Sequence, residues 1–331
     1  MILFCFELWS QIGGQNTYQF LNLPVSPRHA AMGGKNVTLN NYDPSSALNN
    51  PALINDKMDN QMAVNYMNFI GDVNYGTASY AYLFDRRTRV LQIGMTYVNY
   101  GKFDGFDENA NPTGNFTGNE AALSVGYQQQ LGRSDFHLGA NVKLITSKLE
   151  NFTSFGIASD IGLSYKYDRW DLIVSGVVRN LGFQIKPFNE IREDLPLEVI
   201  FGVSQKFRNL PFRWHLTIEN MQEWNIAFGN SARDEIDLNG NVTQDNPGFF
   251  ANIFRRTILG IEFFPESGFN IQLGYNVRRG EELRIDNQRS FAGLSGGISI
   301  KFNKVRINYS YTQFNRAANT SFFGVSIDLN R

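Results

Sequence analysis

Few residues in this chain could do covalent or metal chemistry, and their spacing argues against it. Its three histidines, His29, His137 and His215, form no HExxH or HxxxH pair. Its one cysteine, Cys5, excludes a disulfide framework and any CxxC metal site. His215 and Glu219 stand four apart in an alternating segment, about 13 Å if the segment is a strand, too far for direct contact. His137 falls on a different segment, and His29 in a Ser-Pro-Arg-His run suits packing or hydrogen bonding. Asp104, Asp107, Glu108 and Asn109 lack the EF-hand spacing and read as a solvated loop. The sequence therefore predicts no enzyme, no metal and no cofactor.

Composition narrows the class. The 331 residues carry 30 Lys+Arg against 31 Asp+Glu, so no basic excess can hold a nucleic-acid backbone. Charged residues are 18% and aromatic residues 14%, too apolar a mixture for disorder. No run of about 18 apolar residues is present, so helical spans are not expected. Met1–Trp9 is short and apolar and interrupted by Glu7, so residues 1–12 read as signal-peptide-like.

From residue 61 the dominant signal is period-two alternation. Val305, Ile307, Tyr309 and Tyr311 share one face, with Arg306, Asn308 and Ser310 on the other. Fourteen such segments are expected, at about 61–70, 74–84, 89–100, 119–130, 136–150, 154–167, 170–181, 195–207, 211–220, 255–264, 269–278, 290–302, 305–313 and 319–329. Most reach the roughly 9–11 residues that a tilted strand needs to cross a bilayer. Tight turns alternate with connections that include four long ones, 101–118, 182–194, 221–254 and 279–289. Outer-membrane barrels distribute their loops in this way, with short turns toward the periplasm. The even strand count predicts both chain ends on that side.

Charges settle which face points inward. Lys143, Asp160, Lys166, Arg179, Glu198, Glu219, Glu262, Arg278, Lys301, Arg306 and Asp328 alternate with apolar neighbours. One Lys or Arg on the lipid face at mid-bilayer costs about 2–4 kcal/mol, so this set must face a polar lumen. Ile271, Leu273, Tyr275, Ile298, Ile300, Ile307, Tyr309, Val325 and Ile327 are then the lipid face. Gly94, Gly126, Gly139, Gly156, Gly162 and Gly202 leave room inside for something. Residues 13–57 lack alternation and are dense in Pro, Gly and Asn, with a helix start at Asp43-Pro44. They read as a plug in the lumen, or alternatively as a periplasmic linker, ahead of a barrel at 58–331.

Three motifs carry a resemblance: Asn16-Thr-Tyr-Gln-Phe-Leu-Asn-Leu-Pro24, then Ser26-Pro27-Arg28-His29-Ala-Ala-Met-Gly33-Gly34, then Leu48-Asn49-Asn50-Pro51-Ala52-Leu53. In these the chain resembles outer-membrane barrels of the type IX protein secretion system of Bacteroidetes, within the FadL-like superfamily that also contains PorV. The resemblance implies an all-β fold, a 14-stranded antiparallel transmembrane β-barrel with an N-terminal hatch, in the cell outer membrane. It implies a subunit that anchors the surface protein PorZ in an attachment complex with PorU and PorV, next to lipopolysaccharide. A FadL-like channel for hydrophobic small molecules is the alternative. The terminal aromatic common in such barrels is absent, the chain ending Ile327-Asp-Leu-Asn-Arg331. The connection 221–254 is rich in Trp224, Phe228, Phe249 and Phe250, with Asn239-Gly240 suiting a hairpin turn. It is either a partner-docking loop or a lid over the mouth.

Overall fold

The computed structural model describes residues 16–69, 71–85, 89–109, 111–223, 235–236, 242–243, 249–282, 291, 293–313 and 319–330. Fourteen strands close into one antiparallel barrel: β1 (Gln61–Asn68), β2 (Asn74–Asp85), β3 (Arg89–Phe106), β4 (Pro112–Gln130), β5 (Phe136–Leu149), β6 (Phe152–Tyr167), β7 (Leu172–Lys186), β8 (Glu198–Lys206) and β9 (Phe212–Ile218), then β12 (Thr257–Phe263), β13 (Phe269–Asn276), β14 (Leu294–Phe302), β15 (Val305–Thr312) and β16 (Thr320–Asp328). A separate two-stranded antiparallel sheet, β10 (Glu235–Ile236) with β11 (Val242–Thr243), lies within the longest connection; the turn expected at Asn239-Gly240 lies outside the described residues. Three short helices are α1 (Pro27–Ala31), α2 (Phe249–Arg255) and α3 (Val277–Glu282). No described helix is long and apolar enough to cross a membrane. The strands do the crossing.

Each strand obeys the alternation that defines it. In β15, Arg306, Asn308 and Ser310 are buried inward while Val305, Ile307 and Tyr311 are exposed outward. Leu273, Ile298, Val325 and Ile327 stand exposed on the same outer surface. An exposed apolar belt around a closed sheet with a polar interior is stable only in lipid. The chain is therefore a multi-pass outer-membrane β-barrel. The seam is closed by β1 and β16, paired from Gln61↔Asp328 to Asn68↔Ser321.

The wall is uneven in height. Strands β3 to β7 run 14 to 19 residues, whereas β8, β9 and β12 to β16 run 7 to 9. Much of the connection expected at 101–118 is strand: β3 continues to Phe106 and β4 begins at Pro112. A bulge explains the difference. Asn99 opposes Asn119 and Lys102 opposes Thr117, so Tyr100 and Gly101 together face Gly118 and the alternation slips by one residue. Conversely, β13 stops at Asn276, and Arg278 belongs to α3 at the rim rather than to a strand. Lys301 lies at the short-turn end and is exposed rather than enclosed.

Candidate functional site

The lumen is occupied by the chain's own N-terminal segment, built from short pieces that end where their sequence dictates. Ser26 is extended and Pro27 opens α1, where a missing N–H costs nothing. Ser26 Oγ lies 2.9 Å from His29 Nδ1, and His29 is fully buried. The helix ends at Gly33 and Gly34, both left-handed, with the Gly34 N–H donating to the His29 carbonyl. Asp43 and Asn50 each accept the backbone N–H two residues on, from Ser45 and Ala52, and cap two 3-10 turns at Pro44–Leu48 and Pro51–Leu53. Asn49 and Asn50 donate to the Asn36 and Val37 carbonyls, tying these turns to the returning chain.

The wall is shaped to receive this segment. A side chain at Gly139 would meet the Pro51 carbonyl carbon at 2.2 Å, and one at Gly162 would meet Asn50 Oδ1 at 2.1 Å. Gly94, Gly156 and Gly202 back in the same way onto Leu48, Tyr18 and Val37. Gly126 instead makes room for the Asn141 side chain of the neighbouring strand.

Ion pairs fasten the two parts. Arg28 reaches Glu262 of β12 at 2.5 Å, with both side chains buried. Glu262 also lies 3.4 Å from His215, whose other nitrogen lies 3.0 Å from Thr38 Oγ1. Lys35 lies 2.5 Å from Glu198 and 3.4 Å from Glu219. Arg179 approaches the second oxygen of Glu198 at 3.4 Å and donates to the Leu21 carbonyl at 2.8 Å. Arg306 stacks over the Tyr42 ring at 3.9 Å. Five of the eleven charges inferred to face a lumen, Arg179, Glu198, Glu219, Glu262 and Arg306, thus meet the segment, while Lys143 and Asp160 pair with each other in the wall at 2.7 Å. Lys35, which meets two wall carboxylates, carries no recognisable signal in the sequence, because its partner Glu198 lies 163 residues away.

An apolar cluster lies in the outer half of the lumen. Tyr18, Phe20 and Leu21 pack against Met67, Tyr75, Val98 and Phe322 of the wall. A void of about 10 Å³ remains beneath them, between Leu21, Tyr75, Lys143 and Arg179. A shallower cavity of about 260 Å³ opens at the mouth among Gly34, Lys35, Glu219, Arg278 and Arg279. Among the described residues no three His, Cys, Asp or Glu side chains are grouped to hold a metal.

The described part of the segment runs from one end of the barrel to the other. The Thr17 N–H donates to the Asp194 carbonyl in the long connection after β7, and Tyr18 OH bonds Ser154 at 2.5 Å near the top of β6. Forty residues on, the Leu83 N–H donates to Asp59 at the short-turn end. Residue 16 therefore lies at the outer mouth, the barrel strands begin and end at the short-turn side, and the expected position of the N-terminus itself falls on residues 1–15, outside the described residues.

Of the residues proposed for partner contact, Phe250 is 83% exposed on α2. Phe249 opens the same helix. Trp224 and Phe228 lie outside the described residues. Among the described residues the most prominent outer feature is the hairpin of β3 and β4 above the bulge. Its tip is a turn in which Asp107 accepts the N–H groups of Asn109 and Asn111 and the Asn111 side-chain amide. The Asn111 bonds hold the Asp107 carboxyl below its ordinary range.

Two solved structures match over nearly the whole chain. One is a monoaromatic hydrocarbon channel, TodX, as a deltaS2 mutant: 13% identity, TM-score 0.53, covering 91% of this chain and 96% of that one. The fold is that of a FadL-like barrel. The other is a FadL homologue of Pseudomonas aeruginosa at 12% identity and TM-score 0.50, covering 92% of this chain and 98% of that one. No family profile and no curated protein matches the chain.

Proposed function

We propose that this FadL-like barrel is a non-enzymatic anchoring platform: a PorQ-like subunit of the type IX secretion system that holds a PorZ-like surface protein, with PorU and PorV, at the outer membrane. The observation that carries a platform over a conduit is the filled lumen. Residues 17–58 cross it, buried ion pairs fix them at Glu262, Glu198 and Glu219, and the void between Leu21, Tyr75, Lys143 and Arg179 beneath the apolar packing holds about 10 Å³. Identity as a type IX component rests on the motifs around Ser26–Gly34 and Asn49–Ala52. The test is a crosslinked pull-down of the tagged barrel from native outer membranes. A type IX surface protein should come with it in near-stoichiometric amount, and its absence would refute the reading.

A second reading, a channel for hydrophobic molecules, is favoured by the apolar packing of Tyr18, Phe20 and Leu21 and by the likeness to a hydrocarbon channel. It requires this packing to part. Deleting residues 16–57 should raise single-channel conductance if the segment is the seal. Uptake of a small aromatic hydrocarbon by the intact protein would favour the channel.

A further inference from the structure

We infer that the β3–β4 hairpin is a docking arm, and that it takes a protein surface offering basic side chains around an apolar projection. This deepens the anchoring reading and rests on it. Phe106 lies seven residues beyond Asn99, the last rung before the bulge, so the arm projects about 24 Å above the closed wall. Above Thr117, whose carbonyl accepts the Glu150 N–H of the β5–β6 turn, its two strands pair only with each other among the described residues, since β5 joins β4 at Gly118 and β2 joins β3 at Asn99. An isolated two-stranded ribbon is marginal in water, and this one still exposes aromatic rings.

Phe103 and Phe116 are cross-strand neighbours, stacked at 5.3 Å, and Phe103 is 42% exposed. Two rungs toward the tip, on the same face, Gly105 stands opposite Gly114, with open space above Gly114 and Thr113 Oγ1 over Gly105. A stacked ring pair beside this low rung, with one hydroxyl at its edge, makes a shallow, mainly apolar notch. Val98 and Glu120 are buried inward, and stepping by two from Glu120 through Gly118 to Phe116 places the notch on the lumen-side face. It therefore overlooks the barrel mouth. Phe106, 63% exposed, stands beyond it.

Charge selects the occupant. Residues 101–118 carry Asp104, Asp107 and Glu108 against Lys102 alone. An acidic arm is repelled by the phosphates of surface lipopolysaccharide and attracts a basic protein face. Exposed Phe rings set in such a rim supply the anchors that protein interfaces concentrate their energy in.

The test places a photo-crosslinking amino acid at Phe103, at Phe106, or at Thr117 on the opposite face, in the full-length barrel in native outer membranes. Phe103 and Phe106 should each give one discrete protein adduct, the same band in both, and Thr117 none. In the otherwise native chain, Asp104→Lys with Glu108→Lys should reduce recovery of that protein about thirtyfold, the equivalent of ~2 kcal/mol. A second variant joins Tyr100 to Gly118 through Asn-Gly, which suits a two-residue hairpin. It keeps every barrel rung and should lose the partner while retaining barrel mobility on gels. Lipopolysaccharide adducts, or equal labelling from Thr117, would overturn the inference. If a surface protein remains bound to the armless barrel, the arm is refuted and anchoring stands. If none copurifies with the wild type, the anchoring reading itself fails.

Discussion

Arg28→Met should be among the most damaging single substitutions in the lumen. The Arg28–Glu262 contact is 2.5 Å long, and the two side chains are 4% and 0% exposed. At an effective dielectric of ~20, charges 2.5 Å apart attract by about 6–7 kcal/mol before desolvation is subtracted. Net of that penalty the pair need not stabilise much against an apolar substitute. Removing one partner alone leaves a buried charge uncompensated, at ~3–5 kcal/mol. In Arg28→Met the remaining neighbour of Glu262 is His215 at 3.4 Å. The loss should fall on the seating of the N-terminal segment, because the strand ladders around Glu262 are untouched. Urea titration of the reconstituted barrel and protease nicking within residues 16–58 measure the two separately. Arg28→Met and Glu262→Gln should each lower stability by about 3 kcal/mol or more and expose the segment, and the double variant should recover at least half of that. A cost below ~1 kcal/mol for either single variant, or simple additivity in the double, would refute the reasoning.

Gly139→Val should unseat the 3-10 turn at Pro51–Leu53, because its Cβ would lie 2.2 Å from the Pro51 backbone; Gly126→Ala meets only side-chain amides and should cost less. Single-channel conductance of the two variants checks this, and equal values would count against a wall fitted to the segment. In intact membranes, Ile298→Cys should react with lipid-phase probes and Ser299→Cys should not; the reverse pattern would invert the assigned faces. The Asp107 carboxyl is held low when folded, so its contribution to the hairpin tip is present above its unfolded pKa of about 4 and is lost as pH falls through the lower folded value. Hydrogen exchange at Asn109 and Asn111 should therefore lose protection in acid, and Asp107→Asn should abolish that dependence.

Alternation made the barrel legible, because a strand between lipid and a polar interior must change character at every residue. The same rule misread two places. At Tyr100–Gly101 two residues face one, so the arm's strands fall out of phase with the wall and their sequence reads as a loop. At Tyr275-Asn-Val-Arg278 the alternation runs past the rung where pairing stops, and the last two residues turn into α3. The six inward glycines announced that something needs room, and five of them back onto the N-terminal segment. What they could not announce is where each piece sits. Arg28 is 234 residues from Glu262 and Tyr18 is 136 from Ser154, and no local pattern encodes such meetings.

The path of residues 16–58 bears on how the molecule comes into being. The segment enters beside Asp194 and leaves beside Leu83, so the finished protein is a ring with its own leading end drawn through it. The ring closes last in sequence, when β16 meets β1, and Gly324 of that final strand lies against Pro27 of the thread. A sheet that shut empty would leave some forty folded residues to be fed through a bore lined by paired charges. Wall and thread are thus one fitted body, and a variant that fails to seat Arg28 or Lys35 should show the loss at the β1–β16 closure as well as in the segment.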